Sequence, residues 1–244
     1  MLAPDERRWW PWAPLLLAQG LYARIRAGRM GPAESPQGRI GSGPGLRLAG
    51  LGDSIIAGIG VAHQREGLTG QVAQRIAAAG ATVEWTAIGT SGATAASLLE
   101  ELLPLAREWE PEFVILSVGV NDAVRGTDPA AFKDQVRGIV EALTATRRRP
   151  AVVFAGIPPL ECFPALPRPL ATLLGERARR LHQRAVDLVG YRGLKVVSFP
   201  PVLAREAFAR DGFHPRAAGC VVWAGWVADG FALHLAERLD TGDG

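Results

Sequence analysis

Five residues of the types that acyl transfer requires are spread along this chain: Ser54, Gly89, Asn121, Asp211 and His214. Ser54 stands in Gly52-Asp53-Ser54-Ile55, after the apolar run Leu46-Arg47-Leu48-Ala49-Gly50-Leu51, where a buried strand would hand over to a helix. Glycines on both sides let the backbone turn there and leave room for a substrate. A serine hydroxyl is a poor nucleophile at neutral pH and needs a base. His214, in Asp211-Gly212-Phe213-His214-Pro215, can take that proton and return it to a leaving group. Asp211 would fix the imidazole tautomer and stabilise the imidazolium. Charge developing on the attacked carbonyl needs hydrogen-bond donors. The candidates are the N–H of Ser54, the N–H of Gly89 in Gly89-Thr90-Ser91-Gly92, and the amide of Asn121 in Gly119-Val120-Asn121-Asp122. Each fragment alone is also ordinary turn or capping chemistry. Together, their types and order supply every part of the reaction.

They can cooperate only if the fold carries them to one place. From Leu46 onward, short β-branched runs alternate with longer helical stretches, the pattern of a parallel sheet covered on both faces. The spacing predicts strands over 46–51, 82–87, 113–118, 151–155 and 194–199, and helices over 69–79, 95–107, 129–146, 169–189 and 216–239. Pro104 should bend or divide the second of these helices. A doubly wound sheet binds ligands beyond the carboxyl ends of its strands. Ser54, Gly89 and Asn121 follow the first three strands, and Asp211 and His214 follow the fifth beyond a loop. Pro215 suits the start of the last helix and holds His214 extended.

The four fragments, taken in order, resemble the conserved blocks of the SGNH hydrolases, also called the GDSL esterase/lipase family. The resemblance runs from about Leu46 to the carboxyl terminus. It implies an α/β fold, a flavodoxin-like three-layer α/β/α sandwich with a five-stranded parallel sheet. It also implies a Ser-His-Asp triad of Ser54, His214 and Asp211, an oxyanion hole of Ser54, Gly89 and Asn121, and ester hydrolysis without a metal or cofactor. One departure is visible: many members carry Asn two residues before the glycine of the second block, and here that residue is Ala87. Because Gly89 would donate through its backbone, the change should alter local support and leave the hole in place. Asp53 and Asp122 are rival carboxylates, but their adjacency to Ser54 and Asn121 suggests that they tie down loops. His63, His182 and His234 have no comparable setting.

Other functional classes fit less well. Gly50-Leu51-Gly52 follows a strand, but the third glycine of a dinucleotide fingerprint would fall on Ile55. The net charge is only +3, and arginine clusters at Arg7/Arg8, Arg24/Arg26/Arg29 and 147–149 lack interleaved aromatics, which argues against nucleic acid. A non-catalytic binding protein would have no need of the triad. Transfer of the acyl group to an alcohol or sugar acceptor, or O-deacetylation of a carbohydrate, would use the same residues. The expected partner is a small-molecule ester. The proline-rich stretch 157–167 could wall the crevice with apolar side chains, which suits short- to medium-chain acyl or aryl esters.

The 244 residues, 48% of them hydrophobic, suit one hydrolase domain over 45–244, preceded by an apolar and basic arm and linker over 1–44. The two cysteines are too few for a disulfide framework and read as small buried residues or free thiols. The arm, with Trp9-Trp10-Pro11-Trp12-Ala13-Pro14-Leu15-Leu16-Leu17, is too short to span a bilayer and makes a poor signal peptide. It either packs on the domain's own surface or lies as an interfacial helix on a membrane. The expected location is therefore cytoplasmic or peripheral to the membrane, with export the weaker alternative.

Overall fold

A computed structural model describes residues 4–27, 30–199 and 204–240. Arg29 and the ends of the 1–44 and 45–244 segments lie outside the described residues. The strands are β1 (Gln37–Gly41), β2 (Gly45–Gly52), β3 (Thr82–Gly89), β4 (Phe113–Ser117), β5 (Ala151–Phe154) and β6 (Lys195–Val196). The helices are α1 (Ala13–Ala27), α2 (Leu68–Ala78), α3 (Ala95–Ser97), α4 (Leu103–Glu108), α5 (Val120–Arg125), α6 (Pro129–Thr144), α7 (Leu170–Val186), α8 (Ala217–Gly230) and α9 (Ala232–Asp240). Among the described residues no helix is long and apolar enough to cross a membrane.

The sheet order is β1-β3-β2-β4-β5-β6, with β2 to β6 parallel and β1 antiparallel to β3. Without β1 this is the doubly wound 2-1-3-4-5 order, in which the winding reverses between β2 and β4. Apolar residues on the central strands alternate between the faces and feed two cores. Leu51, Val114, Leu116 and Phe154 pack with α6 and α7 on one face. Leu48, Val83, Phe113 and Ile115 pack with α2 and α8 on the other. The result is a three-layer α/β/α sandwich.

The expected five-stranded sheet is corrected to six strands among the described residues. The extra strand, β1, lies in the Gly/Pro/Ser stretch expected to be a linker and pairs along one edge only. Its sequence, Gln-Gly-Arg-Ile-Gly, lacks the β-branched run of a buried strand. The missing side chain at Gly38 serves the packing, because a Cβ there would strike the Trp85 ring. At the opposite edge β6 is shorter than the expected 194–199; beyond it a single further bond joins the Val197 N–H to the Phe154 carbonyl.

Pro104 divides the helix expected over 95–107. Before it the chain widens into a π turn over Leu98–Leu102, and the Leu103 N–H reaches the Leu98 carbonyl five residues back. Proline has no N–H to continue an α ladder, so the wider turn precedes it. The last helix, expected over 216–239, is interrupted at Phe231, whose ring is buried against Phe113.

Residues 4–27 pack on the domain. Leu16 is buried in the core beside α7, and the Trp9 indole donates to Glu176 at 3.3 Å. Glu6 is buried against Arg177 and Arg180 of α7. The Arg177 guanidinium also donates to the Ala123 and Val124 carbonyls, which ties the arm to α5.

Candidate active site

The turn that carries Ser54 begins where β2 leaves the sheet. The Asp53 N–H donates to the Ser117 carbonyl at 3.1 Å, pinning the exit of β2 to the end of β4. The chain then coils tightly: Ala57 N–H donates to the Asp53 carbonyl and Ile59 N–H to the Ser54 carbonyl, each at 3.0 Å. Asp53, only 1% exposed, accepts the Ile55 N–H at 3.0 Å through its carboxyl. Burial pushes the Asp53 pKa up to about 7, against the opposing pull of the Ile55 hydrogen bond.

His214 and Asp211 arrive on a loop closed like a hairpin. Phe208 bridges Pro215, and the Ala209 N–H donates to the His214 carbonyl at 2.7 Å. Within it Asp211 Oδ1 accepts the N–H groups of Phe213 and His214 at 2.9 and 3.1 Å, an Asx-type turn that fixes the carboxylate. Its other oxygen, Oδ2, lies 2.6 Å from His214 Nδ1, and His214 Nε2 lies 2.9 Å from Ser54 Oγ. Burial opposes the Asp211 charge, but the hydrogen bonds from His214 and from the two N–H groups outweigh it. Its carboxyl stays below the usual carboxylate range. An ionised Asp211 requires a proton on Nδ1, which leaves the Nε2 lone pair facing the serine hydroxyl.

Asn121 sits in the first turn of α5, just past the end of β4. Its Nδ2 donates to the Ala93 carbonyl at 3.0 Å, fixing the amide plane and leaving a second N–H on the same nitrogen. Gly89 ends β3 directly against the serine turn. A Cβ there would meet the Ala57 nitrogen and the Asp53 carbonyl well inside van der Waals distance, so only glycine allows this approach. The position of Ala87 lies in β3, two residues before this contact.

Ser54, Asn121 and His214 line one cleft of about 520 Å³. Leu160, Phe163 and Leu166, from the proline-rich stretch, form one apolar wall, and Phe213, Val120, Val124 and Leu174 complete it. Arg24 and Arg125 also line the cleft. Sequence reasoning missed these two, along with Val124, Leu174 and Phe213. Val124 and Arg125 stand three and four residues after Asn121, which a short helix at 120–125 would have placed beside it. Arg24 reaches the cleft because Glu6 and Leu16 seat the arm, a tertiary contact with no local signal.

The rival carboxylates do tie down loops. Asp53 holds the serine turn, and Asp122 accepts the Ala95 N–H at 3.1 Å and the Thr127 hydroxyl at 3.2 Å. The remaining histidines are elsewhere. His63 faces Glu34, His234 is in α9, and His182 in α7 accepts the Ile157 N–H at 3.4 Å, with its pKa lowered by burial. Cys162 and Cys220 are both free; Cys162 is exposed, and Cys220 is buried with its thiol pushed up to about 12.

Comparison with known proteins agrees with the fold. Residues 51–221 match the family model described as the GDSL-like lipase/acylhydrolase family. Among solved structures, TesA is similar at 22% identity and a TM-score of 0.61, over 76% of this chain and 97% of that one. A family 3 carbohydrate esterase from Clostridium thermocellum is similar at 14% identity and a TM-score of 0.62, over 79% and 98%. Esterase EstA from a Pseudoalteromonas species, inhibited by monoethylphosphonate, is similar at 20% identity and a TM-score of 0.57, over 78% and 99%. At these identities the likeness shows the fold. No curated protein sequence matches the chain.

Proposed function

The chain belongs to the GDSL-like lipase/acylhydrolase family, and from that premise we propose that it is a serine esterase acting through an acyl-enzyme on short- to medium-chain acyl or aryl esters. The observation that carries the proposal is the continuous hydrogen-bonded chain Asp211–His214–Ser54 opening into an apolar cleft. Ser54 Oγ attacks the ester carbonyl carbon as His214 Nε2 takes its proton. The carbonyl oxygen becomes an oxyanion, with the Ser54 N–H and the Asn121 amide as its donors; Gly89, expected as a third donor, packs against the serine turn and is not among the cleft-lining residues, where Gly92 of the same glycine-rich turn stands instead. Collapse of the tetrahedral intermediate breaks the bond to the alcohol oxygen, which receives the proton from His214. Water then attacks the acyl-enzyme by the same route in reverse, and Ser54 regains its proton.

The apolar wall formed by Leu160, Phe163, Leu166 and Phe213 favours an acyl or aryl group over a sugar as the bound moiety. A cleft of about 520 Å³ open to solvent suits chains of short to medium length. The test is a series of p-nitrophenyl esters from acetate to palmitate, with and without an added alcohol acceptor. Turnover should be highest for the shorter chains and should release the free acid. No turnover at any length, a preference for palmitate, or predominant acyl transfer to the alcohol would each contradict the proposal.

A further inference from the structure

Helix α1 is apolar on both its faces, although only one of them touches the protein. Leu16 and Ala23 point inward and are buried. On the outer side Leu17, Leu21 and Ile25 are 76%, 61% and 70% exposed, and Trp10 and Trp12 of the preceding turn are 55% and 49% exposed. On an ordinary surface helix the outer face is polar. The only charged residues among Ala13–Ala27 are Arg24 and Arg26, both exposed, and helical geometry sets them on opposite flanks of the outer stripe. Arg7 and Arg8 extend the basic character toward the tryptophans.

We infer that this face is a docking surface for a lipid bilayer rich in anionic headgroups. An apolar stripe with tryptophans at one end and arginines along its flanks is the arrangement that lies in a membrane interface. The apolar side chains enter the acyl boundary, the indoles sit at headgroup depth and the guanidiniums meet phosphates. Charge argues against a second copy of the chain, since α1 offers a partner copy arginines and no carboxylate to pair with them. The fold also seats α1 for such a role. The buried Glu6–Arg177 pair and the bonds from Gln19 to the Arg168 carbonyl and from the Leu170 N–H to Gln19 fix the helix on the domain. Docking would therefore orient the whole molecule. Because Arg24 lines the cleft, the docked face borders its mouth.

The inference does not depend on the proposed ester chemistry and is tested separately from it. The full-length protein is sedimented with phosphatidylcholine vesicles, with and without phosphatidylglycerol, at low and high salt. It should pellet with the phosphatidylglycerol-containing vesicles, less with phosphatidylcholine alone, and less at high salt. The double variant Leu21→Glu/Ile25→Glu should partition roughly tenfold or more weaker, since it removes two inserting side chains and adds charge of the repelled sign. Its fold is checked by an unchanged thermal midpoint, and a single Leu17→Ser variant, expected to weaken partitioning with less risk to folding, provides a second reading. Three results would overturn the inference: full-length protein left in the supernatant with anionic vesicles, a folded double variant that pellets as well as the parent, or a solution dimer that the double variant dissolves while vesicle binding is absent.

Discussion

Replacing Glu6 with Gln tests whether the arm is structurally part of the domain. Glu6 is 3% exposed and holds Arg177 in a bidentate pair, with Nε to Oε1 at 2.7 Å and Nη2 to Oε2 at 2.6 Å. Arg180 adds a third charge-assisted bond to Oε1 at 2.9 Å. Glutamine keeps the size and one acceptor oxygen but leaves the nearly buried Arg177 cation without its carboxylate. Breaking a buried ion pair on one side costs about 3–5 kcal/mol. Arg177 retains the Ala123 and Val124 carbonyls, and the part-exposed Arg180 can rehydrate, so the lower end, about 3 kcal/mol, is expected. Urea unfolding followed by circular dichroism would measure it by linear extrapolation. For a chain of this size the loss corresponds to a drop in Tm of about 6–12 °C. A change below about 1 kcal/mol would mean instead that Glu6 is solvated and the arm is not seated on α7. By the same reasoning, a chain shortened to begin near Gly45 loses Glu6, Leu16 and β1 together and should be markedly less stable.

Asp211→Asn should keep the fold while lowering kcat by about three to four orders of magnitude, because the amide no longer enforces the Nδ1–H tautomer; stopped or steady-state ester assays would show it. Asn121→Ala should lower kcat by about a hundredfold or more with a smaller change in KM, the pattern of a donor used in the transition state. Asp53 gives a pH signature in stability. Its folded pKa of about 7 lies above the ordinary 3.8, so the folded state holds more protons than the unfolded one between those values. Its contribution is fully present below about pH 4 and is lost as pH rises to about 7, with an upper bound of about 4 kcal/mol. Asp53→Asn, which keeps an acceptor for the Ile55 N–H, should therefore gain stability relative to the parent across that range in urea titrations. Parallel pH profiles for the two proteins would contradict the burial argument.

The four central strands β2 to β5 were legible in the sequence because each is a compact apolar run bounded by turn residues, whereas the edge strand β6 shrinks to Lys195–Val196. Ser54, Asn121 and His214 meet in the candidate site for a related reason: a doubly wound sheet delivers the ends of its strands to one crevice, so order along the chain becomes proximity in space, whereas Gly89 stops against the serine turn outside the cleft lining. What escaped depends on tertiary contact. β1 takes its strand form from pairing with β3 and from the Trp85 ring lying over Gly38, neither of which its own five residues announce. The short α5 is set by Gly119 at its start, φ +126°, and by the Arg177 bonds near its end, so Val120-Asn121-Asp122 read as a turn. Arg24 reached the cleft through the buried Glu6–Arg177 pair, a contact between residues 171 positions apart.

The proposed chemistry rests on Ser54 as a nucleophile activated by His214. The most direct measurement is intact-mass and peptide mapping after incubation with a fluorophosphonate probe, run on the parent, Ser54→Ala and His214→Ala proteins. One adduct per chain is expected on Ser54 in the parent, none in Ser54→Ala, and labelling slowed by orders of magnitude in folded His214→Ala. An unlabelled parent that is folded and turns over esters, or an adduct that persists elsewhere in Ser54→Ala, would contradict it.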